Sequence, residues 1–170
     1  MSGRRVRVAV LAAVVVVVLD LATKAIIERT MTLYESIPLL PFFSLTYVRN
    51  TGAAFGILRD LSPALRLPLF VAVTVAAVGA LASYLRQIRD DEPWVAAALG
   101  GILGGAAGNL FDRLRYGEVI DFLHLHYRGF DWPMFNVADS AITVGVALML
   151  VHSLRAAPDG SPQTRVSEGR

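Results

Sequence analysis

The chain has 170 residues, 55% of them hydrophobic and 18% charged, an apolar content above that of soluble domains that marks a single-domain membrane protein. Sixteen basic and fourteen acidic side chains leave a net charge of +2, and the arginines are scattered, so nucleic acid is excluded as a partner. There is no cysteine, which rules out disulfides, thiolate metal sites and thiol nucleophiles.

Arg4, Arg5 and Arg7 precede an apolar run from Val8 to Leu19 that begins like a secretory signal peptide. Instead of closing on a small-residue cleavage site, the run continues through Asp20 and Lys24 to Ile27, about the 20 residues a spanning helix needs. An uncleaved first transmembrane helix is expected over 6–27. The uncharged stretches Leu67–Leu85 and Pro93–Phe111 each cover roughly 28 Å at about 1.5 Å per residue, giving helices over 66–85 and 93–112. A fourth helix is expected over 137–155, its apolar character broken only by Asp139 near its start and His152 near its end. Residues 156–170, rich in Pro, Gly and Ser, read as a disordered cytoplasmic tail.

Helices two and three are joined by a short charged turn, whereas the connections over about 28–65 and 113–136 are long. Phe42–Val48 (FFSLTYV) is dense in aromatic and β-branched residues, which predicts short strands. The expected fold is therefore all-α, with four transmembrane helices in one domain over 1–155 and a small extracytoplasmic β-sheet in the first long loop. Four crossings put both long connections on one side of the membrane and both termini on the other. Basic residues are packed more densely near helix ends on the terminal side, which makes the termini cytoplasmic.

Asp20, Lys24, Asn109, Asp112, Arg113, Asp121, Asn136 and Asp139 all fall on the long-loop side. Four separate parts of the sequence thus converge on one layer, and ionisable groups in or beside apolar spans are functional candidates by default. Each also has a plainer reading. Asp20 and Lys24, at i and i+4, suit a helix-stabilising or loop-anchoring pair. Asp112 and Arg113 suit a structural ion pair, with Asn109 on the same helical face. Asn136 and Asp139 form a capping pattern, although capping seldom demands an acid inside an apolar run. Gly100, Gly104 and Gly108, with Gly101 and Gly105 beside them, have the spacing that lets helix backbones touch.

Asp121 and Asp139 have no basic neighbour in sequence, and the loop between them can fold back. Two carboxylates brought close at a partly dry site share a proton, the state in which one deprotonates a water and the other protonates or polarises a carbonyl. Rival chemistries are weaker. His124 and His126 make only a two-ligand metal fragment, so no metal or other cofactor is expected. Lys24, the only lysine, would have to serve any Ser/Lys nucleophile, with Ser140. A small proton- or ion-coupled transporter also suits intramembrane acids, but the chain has no internal repeat. A purely structural four-helix partner protein is a third reading.

The DxxxK pair Asp20 and Lys24, the NTGAAF run from Asn50 to Phe55, GNLFDR from Gly108 to Arg113, VIDF from Val119 to Phe122 and FNVADS from Phe135 to Ser140 together resemble the bacterial lipoprotein signal peptidase family, signal peptidase II. The resemblance covers Leu19 to about Val144. It implies an aspartyl endopeptidase of the bacterial inner membrane that removes the signal peptide from diacylglyceryl-modified prolipoproteins, cleaving before the lipid-modified cysteine. Asp121 and Asp139 would be the catalytic pair near the outer face. Asp20, Lys24, Asn50, Gly52, Gly108, Asn109, Asp112, Arg113 and Asn136 would support the site or bind substrate. The implied partners are the prolipoprotein and membrane lipid, with the enzyme a monomer.

Overall fold

The computed structural model describes residues 3–52, 62–88 and 92–156. Ala53–Phe55 of the NTGAAF run and residues 157–170 of the tail lie outside the described residues. The elements run α1 (Arg4–Thr30), β1 (Ser36–Leu40), β2 (Phe43–Asn50), α2 (Pro63–Gln87), α3 (Pro93–Tyr116), β3 (Val119–Tyr127), β4 (Phe130–Asp131) and α4 (Val137–Ala156). All four helices are long and apolar enough to cross a bilayer. Their outward faces are apolar, as at Val10, Leu11, Val14 and Val18 of α1 and Val73 and Val75 of α2, which is the surface a lipid-facing helix presents.

Helix α3 is the axis on which the others pack, because its surface is largely glycine and alanine. Built Cβ atoms show how close the backbones come: at Gly104 a Cβ would lie 2.6 Å from the carbonyl oxygen of Ala13 on α1, and at Gly105 one would lie 2.5 Å from that of Ala138 on α4. Gly108 continues the α1-facing row, and a Cβ there would collide with the Asp20 carboxylate. Two faces of one helix thus receive two neighbours at backbone distance. The helix stops at Gly117, whose φ of 75° and N–H bond to the Arg113 carbonyl (2.9 Å) close it with a left-handed cap.

The sheet is not confined to the first long connection. Its order is β1-β2-β3-β4, all antiparallel, so each long connection supplies two strands. The reason is energetic: β1 and β2 alone would form a two-stranded ribbon, which is marginal in water. Pairing β2 with the buried VIDF half of β3 gives that ribbon a core. Ile27 and Met31 from the α1 end, Tyr47 from β2 and Ile120 and Phe122 from β3 bury together there. A two-residue turn at Arg128 and Gly129, both at positive φ (48° and 86°), returns the chain into β4.

Candidate active site

Three local devices bring the polar residues together. The first is the β2–β3 register, in which Val48 lies opposite Asp121 and Asn50 opposite Val119. Asn50 is therefore a diagonal neighbour of Asp121 on the same face, and its Nδ2 donates to Asp121 Oδ2 at 2.9 Å. The Asn50 Oδ1 in turn accepts the Gly52 N–H at 2.9 Å, a local turn that fixes which way the amide faces.

The second device ties the start of α4 to β3. Phe135 bridges to Leu123, donating to its carbonyl (3.0 Å) and accepting from the N–H groups of Phe122 (3.0 Å) and Leu123 (2.8 Å). The next residue, Asn136, caps α4 by accepting the Asp139 N–H on its Oδ1 at 2.9 Å. Its Nδ2 is left to donate to Asp121 Oδ1 (2.7 Å), Asn109 Oδ1 (3.0 Å) and the Ile120 carbonyl (3.2 Å). Asn136 thus caps the helix and also joins the two halves of the site.

The third device is a buried charge cluster between α1 and α3. Lys24 Nζ lies 2.7 Å from Asp20 Oδ2, 2.9 Å from Asp112 Oδ2 and 3.0 Å from Asn109 Oδ1, and the three charged side chains are at most 2% exposed. Lys24 donates hydrogen bonds to Asp20 and Asn109, and Asp112 completes the cluster as a second ion-pair partner. The remaining oxygen of Asp20, Oδ1, accepts the Ala138 N–H at 3.0 Å, so an acid of α1 caps α4 and complements the positive end of its dipole. Asp112 Oδ2 also accepts the Ile120 N–H at 3.2 Å.

Asn109 sits where these devices meet. Its Oδ1 accepts from Lys24 and Asn136, and its Nδ2 donates to Asp139 Oδ1 at 2.7 Å. Asp121 and Asp139, from a strand and a helix, are therefore linked through two interlocked amides. Asp121 is 2% exposed and has amide donors on both oxygens. Asp139 is only partly buried, and its Oδ1 accepts from Asn109. Burial and, next, the charge of Asp139 push the Asp121 carboxyl up from 3.8 to about 7, against the opposing pull of the Asn50 and Asn136 amides.

All eleven residues singled out from the sequence lie in or beside this network, with Gly108 giving Asp20 its space. The expected pairing of Asp112 with Arg113 does not form. Consecutive helical residues point to different sides, so Asp112 turns to Lys24. Arg113 reaches back to the Asn109 carbonyl (3.3 Å) and across to the Gly52 carbonyl (3.2 Å), with its guanidinium 4.0 Å from the Phe70 ring centroid on α2. His124 and His126 turn to Asp131 and Ser44. Ser140 Oγ bonds back to the Asn136 carbonyl at 2.8 Å, and Lys24 Nζ is engaged by Asp20, Asp112 and Asn109.

Sequence reading missed a clasp of Glu28, Arg49 and Tyr116. Glu28 Oε1 accepts from Arg49 at 2.8 Å and its Oε2 from the Tyr116 hydroxyl at 2.9 Å, and Arg49 stacks 4.6 Å from the Tyr116 ring. It ties β2 to the ends of α1 and α3. An aromatic at a helix end carries no signal of such a role in the sequence.

Fold and site define a class: a four-helix membrane protein whose polar centre links two aspartates through amide groups. Residues 12–155 match the family described as signal peptidase (SPase) II, and the chain belongs to that family. It is 56% identical over 139 residues to a lipoprotein signal peptidase of Geobacter sulfurreducens, covering 81% of this chain and 86% of the relative. A second, from Syntrophotalea carbinolica, is 49% identical over 150 residues, with 88% and 92% covered. A solved bacterial membrane enzyme superposes with a TM-score of 0.80 at 34% identity, covering 91% of this chain and 92% of that one. Nothing in these findings supports the ion-coupled transporter.

Proposed function

We propose that the protein removes the signal peptide from diacylglyceryl-modified prolipoproteins, cleaving before the lipid-modified cysteine, with Asp121 and Asp139 as its catalytic pair. The observation that carries this reading is the linkage of a buried, readily protonated Asp121 to a part-exposed Asp139 through Asn109 and Asn136. One aspartate accepts a proton from a water as its oxygen bonds to the scissile carbonyl carbon, while the other gives its proton to the carbonyl oxygen. Collapse of the resulting diol breaks the C–N bond, sends the first proton to the departing nitrogen and returns the second to its aspartate. The asparagines hold both acids at fixed positions, so little geometry must be found during the reaction. Arg113 and Asn50, which both hold Gly52, bind the substrate backbone.

The sheet end of the bundle faces the outside of the inner membrane, and both termini are cytoplasmic. A diacylglyceryl group keeps its substrate at the bilayer, so a site where helix ends meet the sheet is reached by lateral diffusion. Exposed Leu39, Leu40, Phe42, Phe130 and Trp132 on the sheet suit contact with membrane lipid. One chain supplies every group of the network, which supports a monomer.

The test is cleavage of a diacylglyceryl-modified precursor by purified enzyme in detergent, read as a gel shift. Asp121→Asn and Asp139→Asn should each abolish the shift while the protein still accumulates in membranes, and an unmodified precursor should stay intact. Ser140→Ala should retain activity. Cleavage by either asparagine variant would end the proposal.

A further inference from the structure

The two aspartates are not held alike. Asp121 receives only neutral amide N–H groups, from Asn50 and Asn136. Asp139 receives the amide of Asn109, whose oxygen is held by the Lys24 ammonium. A cation on the oxygen of an amide polarises it and strengthens its N–H as a donor, and it leaves the amide one orientation, with its nitrogen toward Asp139. Asp139 is also the third residue of α4 and is within the first turn, where the helix dipole favours negative charge.

We propose that Lys24 is a positioning residue that makes the pair asymmetric: through Asn109 it holds Asp139 as the group that takes the proton from water, leaving Asp121 to carry the proton given to the carbonyl oxygen. The inference rests on the catalytic reading of the pair given above. Water then loses its proton to the carboxylate of Asp139, the less buried of the two aspartates. Asp20 and Asp112 are the counter-charges that hold the ammonium in place. Arg113, the other nearby cation, hydrogen-bonds to the Gly52 and Asn109 carbonyls, and its charge acts on Asp139 and Asp121 through space without a hydrogen bond to either.

The test is the pH profile of kcat/KM for precursor cleavage in two variants whose effects should have opposite sign. Lys24→Gln removes the cation that orients Asn109 toward Asp139, so the acid limb should move up by about one pH unit, with activity recovered on the alkaline side. Asp112→Asn keeps an acceptor for the Ile120 N–H but removes a carboxylate from Lys24, so the same limb should move down. Opposite displacements support the proposal. Activity that falls equally at every pH, with both limbs unmoved, would overturn it and leave Lys24 a structural ion-pair partner. If Lys24→Gln does not accumulate in membranes, Asp112→Asn decides alone, and an unmoved limb there overturns it. The Asp121→Asn and Asp139→Asn variants are run beside these, because cleavage by either removes the pair itself and not only the role of Lys24.

Discussion

At Asp121 two amide hydrogen bonds oppose burial and a neighbouring negative charge, and the balance leaves the carboxyl near 7. In the unfolded chain the same group ionises at about 3.8. A folded value above the unfolded one means that the fold disfavours the carboxylate, so the penalty is absent below about pH 4, grows as pH rises and is complete above about pH 7. Asp121→Asn should therefore gain thermal stability relative to the unaltered protein as pH goes from 4 to 7, by on the order of a few kcal/mol. The fixed loss of one acceptor for Asn50 or Asn136 offsets this equally at all pH, so the slope is the readout; a flat difference between the two melting curves would contradict it. Catalysis has the same sign, since a pair that needs one proton should lose activity as pH rises past about 7. Residue by residue, the sequence made the acids visible, because a carboxylate in an apolar span stands out. It could not reveal that Asp20 caps a helix starting 117 positions later, at Val137, nor that Asp112 turns to Lys24 and not to Arg113, since both depend on how α1 lies against α3.

The helices were legible as elements because twenty apolar residues leave a bilayer-spanning chain little choice. Their packing was legible only on α3, where small residues at four-residue spacing carry information about a neighbour. That information has an energetic side. At Gly104 a methyl group would meet the α1 backbone, 2.6 Å from the Ala13 carbonyl oxygen, whereas at Gly79 on α2 nothing lies within 4 Å. Gly104→Ala should destabilise the protein by about 1–3 kcal/mol through forced separation of α1 and α3. Gly79→Ala should be neutral or raise stability by up to about 1 kcal/mol, through helix propensity. Thermal unfolding in detergent, followed by tryptophan fluorescence, measures both, and equal effects would mean that the close approach of α1 and α3 is not under strain. The sheet was half legible: FFSLTYV announced a strand, but β3 begins with the buried run VIDF before its outward half, so strand periodicity was visible in only part of it.

For the molecule as a whole, the parity of four crossings already required the two long connections to share a side, and the β2–β3 pairing is the contact that realises it. The pairing also explains why the catalytic proposal needs the whole chain: Asp121 arrives on a strand from the third connection, Asn50 on a strand from the first, and Asp139 on a helix tied to that same sheet by Phe135. Which end of the bundle faces the cytoplasm is a separate matter, and the absence of cysteine makes it directly measurable. Asp131, exposed on β4, marks the sheet end, and Gln87, exposed at the end of α2, marks the opposite one. In intact spheroplasts a membrane-impermeant maleimide should label Asp131→Cys and leave Gln87→Cys unmodified until the membrane is permeabilised. Neither position contacts the network around Asp121 and Asp139, so both variants should still process precursor, which certifies that the labelled molecules are folded. The reverse labelling pattern would put the site on the cytoplasmic face, where a precursor would meet it before export, and the outward-facing geometry proposed for prolipoprotein cleavage would fall with it.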